Sequence, residues 1–413
     1  MDALLLFFWL LTPYMLARRE PMNTPWRQVG QCTHHKSVHA LLLVPVRALL
    51  ISNPNSTSNS ARRMPSIVRA LRSVEGIRLT SMFTAYPGHA EEMVAGITVR
   101  DYDVIISLGG DGTINEIVNG LMDSNPFSAL SATELPAIAT IPTGSANVLA
   151  GALGIPRDPV DAAWYIASLL RSRTRSAISV GHAAERCFVV NAGIGIDAEV
   201  ISTMEQLRHN GTRAKAVRYL PAIFTAWNEL RKSPPQITAT IDGKEFGRDL
   251  AMAVVSNSNP WTFLGDLPIV TNPTVSLRRG LGFYGFTSLK GVTGLVAAAN
   301  LAGFFTRLRS PFHIEARERR VDNAQRIQLT ATAPLRLQLD GEYIDQCDSL
   351  NIRVKQGAIN FVARADDYTE DQFTKKVATR PVDERLLVVV TKKAMDRTRR
   401  LFSTSQKTEA NPA

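Results

Sequence analysis

Residues 103–116, DVIISLGGDGTINE, restrict the fold more than any other stretch of this chain. A short apolar run, 103–108, has the length and composition of a buried strand. It stops at Gly109-Gly110-Asp111-Gly112 and passes directly into an amphipathic helix predicted over 113–122. Successive glycines allow positive φ and close approach of backbone to a ligand. The N–H groups of such a loop, with the N-terminus of the following helix, can face a phosphate. Thr113 is placed as an N-cap or a phosphate ligand. Asp111 alone would repel phosphate, so a Mg²⁺ ion or a hydroxyl partner is expected beside it. No Gly-Lys-Ser/Thr follows, which excludes a Walker A loop. Read without a ligand, the same residues are a tight strand-to-helix turn with Asp111 as a capping residue.

The strand–turn–helix pattern recurs on both sides. Strands are predicted at 47–51, 77–83, 103–108 and 137–141, with helices at 61–74, 90–99, 113–122 and 147–153. Short apolar strands alternating with helices imply a parallel sheet with crossovers. Ligands in such sheets lie at the carboxyl ends of the strands. Three turns rich in Gly, Asn or Ser fall at those ends, at 52–57, 109–113 and 142–147. Arg62 and Arg63, after the first turn, could pair with phosphates or lie on a solvated helix face.

From about residue 178 the signals become short strands, at 187–191, 237–241, 250–256, 282–286, 327–330, 335–339 and 349–354. Helices are expected near 200–207, 214–231 and 289–308. The expected architecture is therefore two-domain, α/β plus β: an open α/β nucleotide-binding domain at 45–178 and a β-rich domain at 179–365, with the active site in the cleft between them. Residues 1–44 read as an extension and linker, and 366–413 as a polar, basic tail. The apolar stretch 3–17 is shorter than a spanning helix needs and contains Pro13. A weak membrane anchor, an interfacial segment and an upstream extension before Met22 all remain open for it.

A chain of 413 residues, 45% hydrophobic and 20% charged, excludes wholesale disorder, collagen and coiled coil. Its three cysteines are too widely spaced for a disulfide framework or a Cys-x-x-Cys site, which fits a reducing compartment. Lys and Arg number 47 against 37 Asp and Glu, a net charge of +10 that favours anionic partners. The low aromatic content, 7%, without aromatic–basic interleaving, speaks against nucleic acid.

Several motifs together resemble the diacylglycerol kinase catalytic-domain family, which includes sphingosine and ceramide kinases. GGDGT followed by NEIVNGL is one; loops of this type also occur in NAD kinases and phosphofructokinases. Pro142-Thr143-Gly144-Ser145-Ala146-Asn147 resembles the lipid-kinase pattern P-x-G-[ST]-x-N. Asn53-Pro54-Asn55-Ser56 resembles the family's first turn, and Thr84 with Gly88-His89-Ala90 its T…GHA element. Asn191, Gly193, Gly195 and Asp197 fit its N-x-G-x-G-x-D segment, and Asp340-Gly341-Glu342 its late D-G-E. The resemblance covers about 45–365.

The resemblance implies an ATP-dependent lipid kinase that transfers the γ-phosphate to a lipid hydroxyl, diacylglycerol first. ATP-binding residues would be Asn53, Pro54, Asn55, Ser56, Thr57, Thr84, Gly109, Gly110, Asp111, Gly112, Thr113, Ile114, Asn115 and Ser145. Glu342 would be the general base, with Asp111 and Asp340 in the catalytic group and Mg²⁺ carried by ATP. A carboxylate can accept the proton of a lipid hydroxyl, while phosphoryl transfer otherwise needs positioning and charge neutralisation. By itself Asp340-Gly341 reads as a hairpin turn. Asn191 and Asp197 read as structural. The implied setting is cytoplasmic, peripheral to the inner face of an anionic membrane. A homodimer is compatible with the resemblance, though no zipper-like run supports one.

Some family members hold a structural Mg²⁺ partly through an aspartate of the second domain. Here Arg278-Arg279-Gly280 stands at that place, so no metal ligand is assigned, and an arginine could occupy the cation's position. Two other functions remain to be separated from the lipid kinase. One is an NAD kinase-like phosphotransferase, against which the Asn53-Pro54 turn and the 142–150 segment argue. The other is a non-catalytic lipid-binding protein, against which Asp111, Thr113 and Glu342 argue.

Overall fold

The computed structural model describes residues 45–54, 56, 60–194, 236–264, 267–287 and 314–364. They lie within one compact unit, Val44–Lys375. The termini and the helices expected at 200–207, 214–231 and 289–308 lie outside the described residues, as do Asn55, Thr57, Gly195 and Asp197.

Four strands form the α/β half: β1 (Arg47–Ser52), β2 (Arg78–Phe83), β3 (Val104–Gly109) and β4 (Ala137–Pro142). They pair in parallel in the order β2-β1-β3-β4. β3 and β4 are buried at every residue, as parallel strands covered on both faces should be. Alternate side chains serve opposite faces. Ala48, Leu50, Val104 and Ile106 pack with α1 (Ser60–Arg72) and α5 (Pro159–Arg171). Leu49, Ile51 and Ile105 pack with α2 (His89–Val94) and α3 (Asp111–Met122). A short helix, α4 (Val148–Ala152), follows the turn after β4.

Two helices differ from the sequence expectation. α2 ends at Val94, because Ala95 turns extended and Gly96 takes φ +75°. α5 was not expected at all, although its start is marked: Asp158 caps it, accepting from the N–H groups of Val160 and Asp161, and Pro159 is its first residue.

The β-rich half comprises β5 (Ser176–Ala183), β6 (Arg186–Phe188), β7 (Asn191–Ile194), β8 (Ile237–Ile241), β9 (Lys244–Leu250), β10 (Met252–Ser256), β11 (Thr262–Leu264), β12 (Leu267–Ile269) and β13 (Leu281–Phe286). A short helix α6 (Ile314–Arg317) leads into β14 (Glu318–Ala324), β15 (Arg326–Leu339) and β16 (Glu342–Phe361). The strands expected at 327–330 and 335–339 are one strand, β15, with a register shift between Thr330 and Leu335. The strand expected at 349–354 is the middle of β16.

β16 joins the halves. It pairs with β15 along its first part, with β5 further on, and beside β4 at Phe361↔Ile138. One sheet thus runs β14-β13-β10-β7-β15-β16-β4-β3-β1-β2, with α/β strands at one end and the antiparallel strands at the other. Position 178 falls inside β5, whose Ile178 and Val180 share a core with Leu49 and Ile105. Among the described residues no helix is long and apolar enough to cross a membrane.

Candidate active site

The three sequence turns meet at the carboxyl ends of the parallel strands. Asn53 leaves β1 and donates its N–H to the carbonyl of Leu108 at 3.1 Å. Thr84 leaves β2 and donates to the carbonyl of Ser52 at 3.0 Å. Thr143 leaves β4 and donates to the carbonyl of Gly109 at 2.9 Å. These bonds continue the sheet one residue past its strands and set the turns side by side.

The second and third turns touch backbone to backbone. A Cβ at Gly144 would lie 2.7 Å from the Cα of Gly110, so neither chain leaves room for a side chain there. Asn147, in the left-handed region at φ +49°, folds its amide back over the turn. Its Oδ1 accepts from Gly144 N–H at 2.9 Å, and its Nδ2 donates to the Gly144 carbonyl at 2.8 Å. Ser145 is exposed at the tip.

Asp111 locks the two turns together. Its oxygens accept from the N–H groups of Val148 and Leu149 at 2.9 and 3.0 Å. They therefore satisfy the first donors of α4, a helix whose own preceding residue gives no side-chain cap. Burial pushes the Asp111 carboxyl upward, and these backbone donors oppose the shift. The sequence reading of Asp111 as a cap is right, but the helix it caps is α4. Thr113 is not an N-cap: Gly110 occupies that position for α3, and Thr113 is buried against Gly109.

Two of the expected nucleotide residues point elsewhere. Ile114 is in the core. Asn115 is buried and directs its amide to the carbonyl of Cys187 at 3.0 Å and to Asp340 Oδ2 at 2.9 Å. Any nucleotide contact of these two falls to the backbone. Arg63 pairs with Asp158 at 2.5 Å, linking α1 to the cap of α5, while Arg62 is exposed.

Asp340-Gly341 is the two-residue turn between β15 and β16, with φ +48° and +86°, and Leu339 pairs with Glu342 across it. The hairpin reading and the motif reading therefore describe the same residues. Asp340 is buried. Oδ1 accepts from Val190 and Asn191 N–H at 2.7 and 3.0 Å, and Oδ2 from Val189 N–H at 2.8 Å and from Asn115. Burial pushes its carboxyl up to about 6 against these donors. With its oxygens so engaged, Asp340 anchors the turn.

Glu342 is the carboxylate brought against the glycine loop. A Cβ at Gly112 would stand 2.5 Å from its Oε1. The first turn of α3 thus meets the Asp-Gly-Glu turn twice, at Gly112 beside Glu342 and at Asn115 bonded to Asp340. Only Glu342 was assigned to this meeting from sequence as a proton acceptor. The contributions of Asn147 and Gln338 were not seen; Asn147 was quoted in a motif, and Gln338 carried no signal.

Residues that could hold a metal are few. No group of three His, Cys, Asp or Glu side chains suited to a metal occurs among the described residues. At the place where the resemblance would put a structural cation, Arg278 donates to Ser176 Oγ at 3.1 Å and to the Arg364 carbonyl at 3.3 Å. The carbonyls of Leu277 and Arg279 accept from Ser179 at 2.6 and 2.7 Å. A guanidinium and already-bonded carbonyls do not fit a divalent ion, and Arg279 itself is exposed.

The comparisons agree with these motifs. Residues 47–183 match the diacylglycerol kinase catalytic domain family. The diacylglycerol kinase of Bacillus subtilis (strain 168) is 27% identical over 308 residues, 72% of this chain and 90% of its own. Sphingosine kinase 1 of Arabidopsis thaliana is 29% identical over 198 residues, 47% of this chain and 40% of that one. The crystal structure of a diacylglycerol kinase from Bacillus anthracis str. Sterne superposes with a TM-score of 0.56 at 22% identity, covering 77% of this chain and 97% of the other, a likeness of fold. The match to the diacylglycerol kinase catalytic domain family runs from β1 to the end of β5.

Proposed function

We propose that this chain is an ATP-dependent lipid kinase whose acceptor is a lipid hydroxyl, with diacylglycerol the first candidate and a sphingoid base the second. The observation that carries this reading is the approach of Glu342 to Gly112, so close that a Cβ there would stand 2.5 Å from Oε1. It puts a half-buried carboxylate beside a glycine loop at the carboxyl ends of parallel strands, where phosphates are bound.

In this reading the residues divide the labour between nucleotide and acceptor. Asn53, Pro54, Ser56, Thr84, the 109–113 loop and Ser145 line the nucleotide side. The backbone N–H groups of the loop, at the start of α3, favour the negative charge of the phosphates. Glu342 takes the proton of the acceptor hydroxyl as the hydroxyl oxygen attacks the γ-phosphorus and the bond to the β–γ bridging oxygen breaks, releasing ADP. Asp111 and Asp340 hold the turns that present these groups and do not touch the reacting atoms. Mg²⁺ carried by ATP would supply neutralisation of the phosphate charge. The net charge of +10 suits work at an anionic lipid surface on the cytoplasmic face.

The test is transfer from γ-labelled ATP with Mg²⁺ into lipids in anionic mixed micelles. The expected result is label in diacylglycerol, lowered by about a hundredfold or more in Glu342→Ala. Label in sphingosine instead changes the acceptor and keeps the mechanism. Label in NAD, or binding of ATP and lipid without transfer, overturns the reading.

A further inference from the structure

The turn that carries Glu342 is pinned by a buried amide that belongs to none of the motifs. Gln338 is 0% exposed. Its Oε1 accepts from the N–H of Gly341 at 2.8 Å, and its Nε2 donates to Asn191 Oδ1 at 2.5 Å. Asn191 in turn donates its Nδ2 to the carbonyl of Trp261 at 3.0 Å. Each amide uses oxygen as acceptor and nitrogen as donor, so donation runs one way along the relay, from the Gly341 N–H to the Trp261 carbonyl.

The pinned N–H matters because of where it sits. It belongs to the peptide between Asp340 and Gly341, the central peptide of a two-residue hairpin turn. With positive φ at both residues the turn is of the I′ kind. The competing II′ turn also has positive φ at its first central residue but turns that central peptide over. Turning it over would carry the N–H away from Gln338 and release the turn from that anchor, and Glu342 is the next residue. An acceptor buried under the Gly341 N–H makes one orientation the favoured one. The Asp340 carboxylate fixes the same turn from its other side.

We infer that Gln338 is a positioning residue for the proton acceptor: through the Gly341 N–H it holds the turn that aims Glu342 at Gly112, and through Asn191 it ties that turn to the segment entering the β11–β12 hairpin. This rests on Glu342 being the base, as proposed above.

The experiment is a double-mutant cycle on the full chain, with Mg²⁺-ATP and diacylglycerol micelles. Gln338→Met keeps the bulk and removes the hydrogen bonds to Gly341 and Asn191. It is expected to lower kcat by about 10- to 100-fold, the scale of a misplaced catalytic group, with KM for ATP unchanged within about twofold. Added to Glu342→Gln it is expected to cost less than about twofold more, because a misaimed base that is already disabled has little left to lose. Gln338→Glu keeps an acceptor for Gly341 and is expected to recover most of the lost kcat. Since Gln338 is buried, Asn191→Ala, which breaks the relay one step further out, is run in the same cycle and should show the same non-additivity. Losses that multiply with Glu342→Gln, or a changed KM at constant kcat, overturn the inference and leave the base assignment standing. Wild-type turnover in Glu342→Gln, or no lipid transfer by the wild type, overturns that assignment and this inference with it.

Discussion

At Gly112 the substitution of a single hydrogen by a methyl group is enough to displace Glu342, since the new carbon would stand 2.5 Å from Oε1. Gly112→Ala is therefore expected to keep the fold, as α3 tolerates alanine, and to lower lipid turnover by about 10- to 100-fold. Circular dichroism with kinase assays checks both halves of that statement. Asp340 is the opposite case, a residue whose loss is felt first in stability. Asparagine there would turn an NH₂ toward backbone donors, costing about 2–4 kcal/mol in urea unfolding. Its pH dependence has a definite sign. Its folded value of about 6 lies above the ordinary 3.8. The folded chain thus binds this proton more tightly than the unfolded chain. The contribution grows as pH falls through about 6 and is complete below about 4. Wild type is expected to show that gain between pH 7 and 5, and Asp340→Asn to lack it.

The short elements at the site depend on partners far along the chain. α4 has five residues and no side-chain cap of its own, and its first donors are met by Asp111 from α3. Asp111→Asn keeps one acceptor oxygen and loses the other. It is expected to cost about 1 kcal/mol of stability and to raise KM for ATP, because the 142–147 turn leading into α4 loses its anchor. Steady-state kinetics at fixed lipid separates that from a change in kcat. A second tie, Arg278 to Ser176 and the Arg364 carbonyl, joins the start of β5 to the end of β16. Thermal unfolding is expected to be indifferent to EDTA, and Arg278→Met to lower Tm by a few degrees, about 1 kcal/mol. Elements of this kind were only partly legible. The strand–turn–helix units at β1, β3 and β4 could be read because turn chemistry and apolar runs are local. The capping of α4 by Asp111 could not, because the donor and acceptor are 37 residues apart. α5 carried a readable Asp-Pro start that composition alone hides, and 327–339 split into two strands because Thr330 to Leu335 interrupts the alternation that β15 nevertheless spans.

Across the whole molecule, the α/β part and the β-rich part expected from the sequence are both present, and the described residues place their strands in one sheet. β16 is the reason. Phe361 pairs beside Ile138 of β4, Val362 donates to the Ile138 carbonyl at 2.8 Å, and Phe361 and Ala363 lie in the core with Ile105 and Ile117. The same strand begins at Glu342 and pairs with β15 in the β-rich half. Asn115 and Asn119 of α3 add bonds to Cys187, and Asn360 donates to the Ala132 carbonyl at 2.7 Å. Such pairings between distant residues leave no local pattern. Their consequence is that neither half can lose its fold without uncovering core and unpaired strand edge on the other. The two halves are therefore expected to unfold together. Trp164, in α5, and Trp261, before β11, report on the two halves separately. Variants that keep Trp164 or Trp261 as the single tryptophan of the chain's five, followed by fluorescence in urea, should give coincident midpoints and equal slopes. Midpoints separated by more than about 0.5 M would show two units melting independently, with β16 too weak a link to make them one. In the coincident case, a nucleotide bound at the turns of the α/β half should raise the midpoint read at Trp261 as much as that at Trp164, because the energy of binding is then shared by the entire sheet.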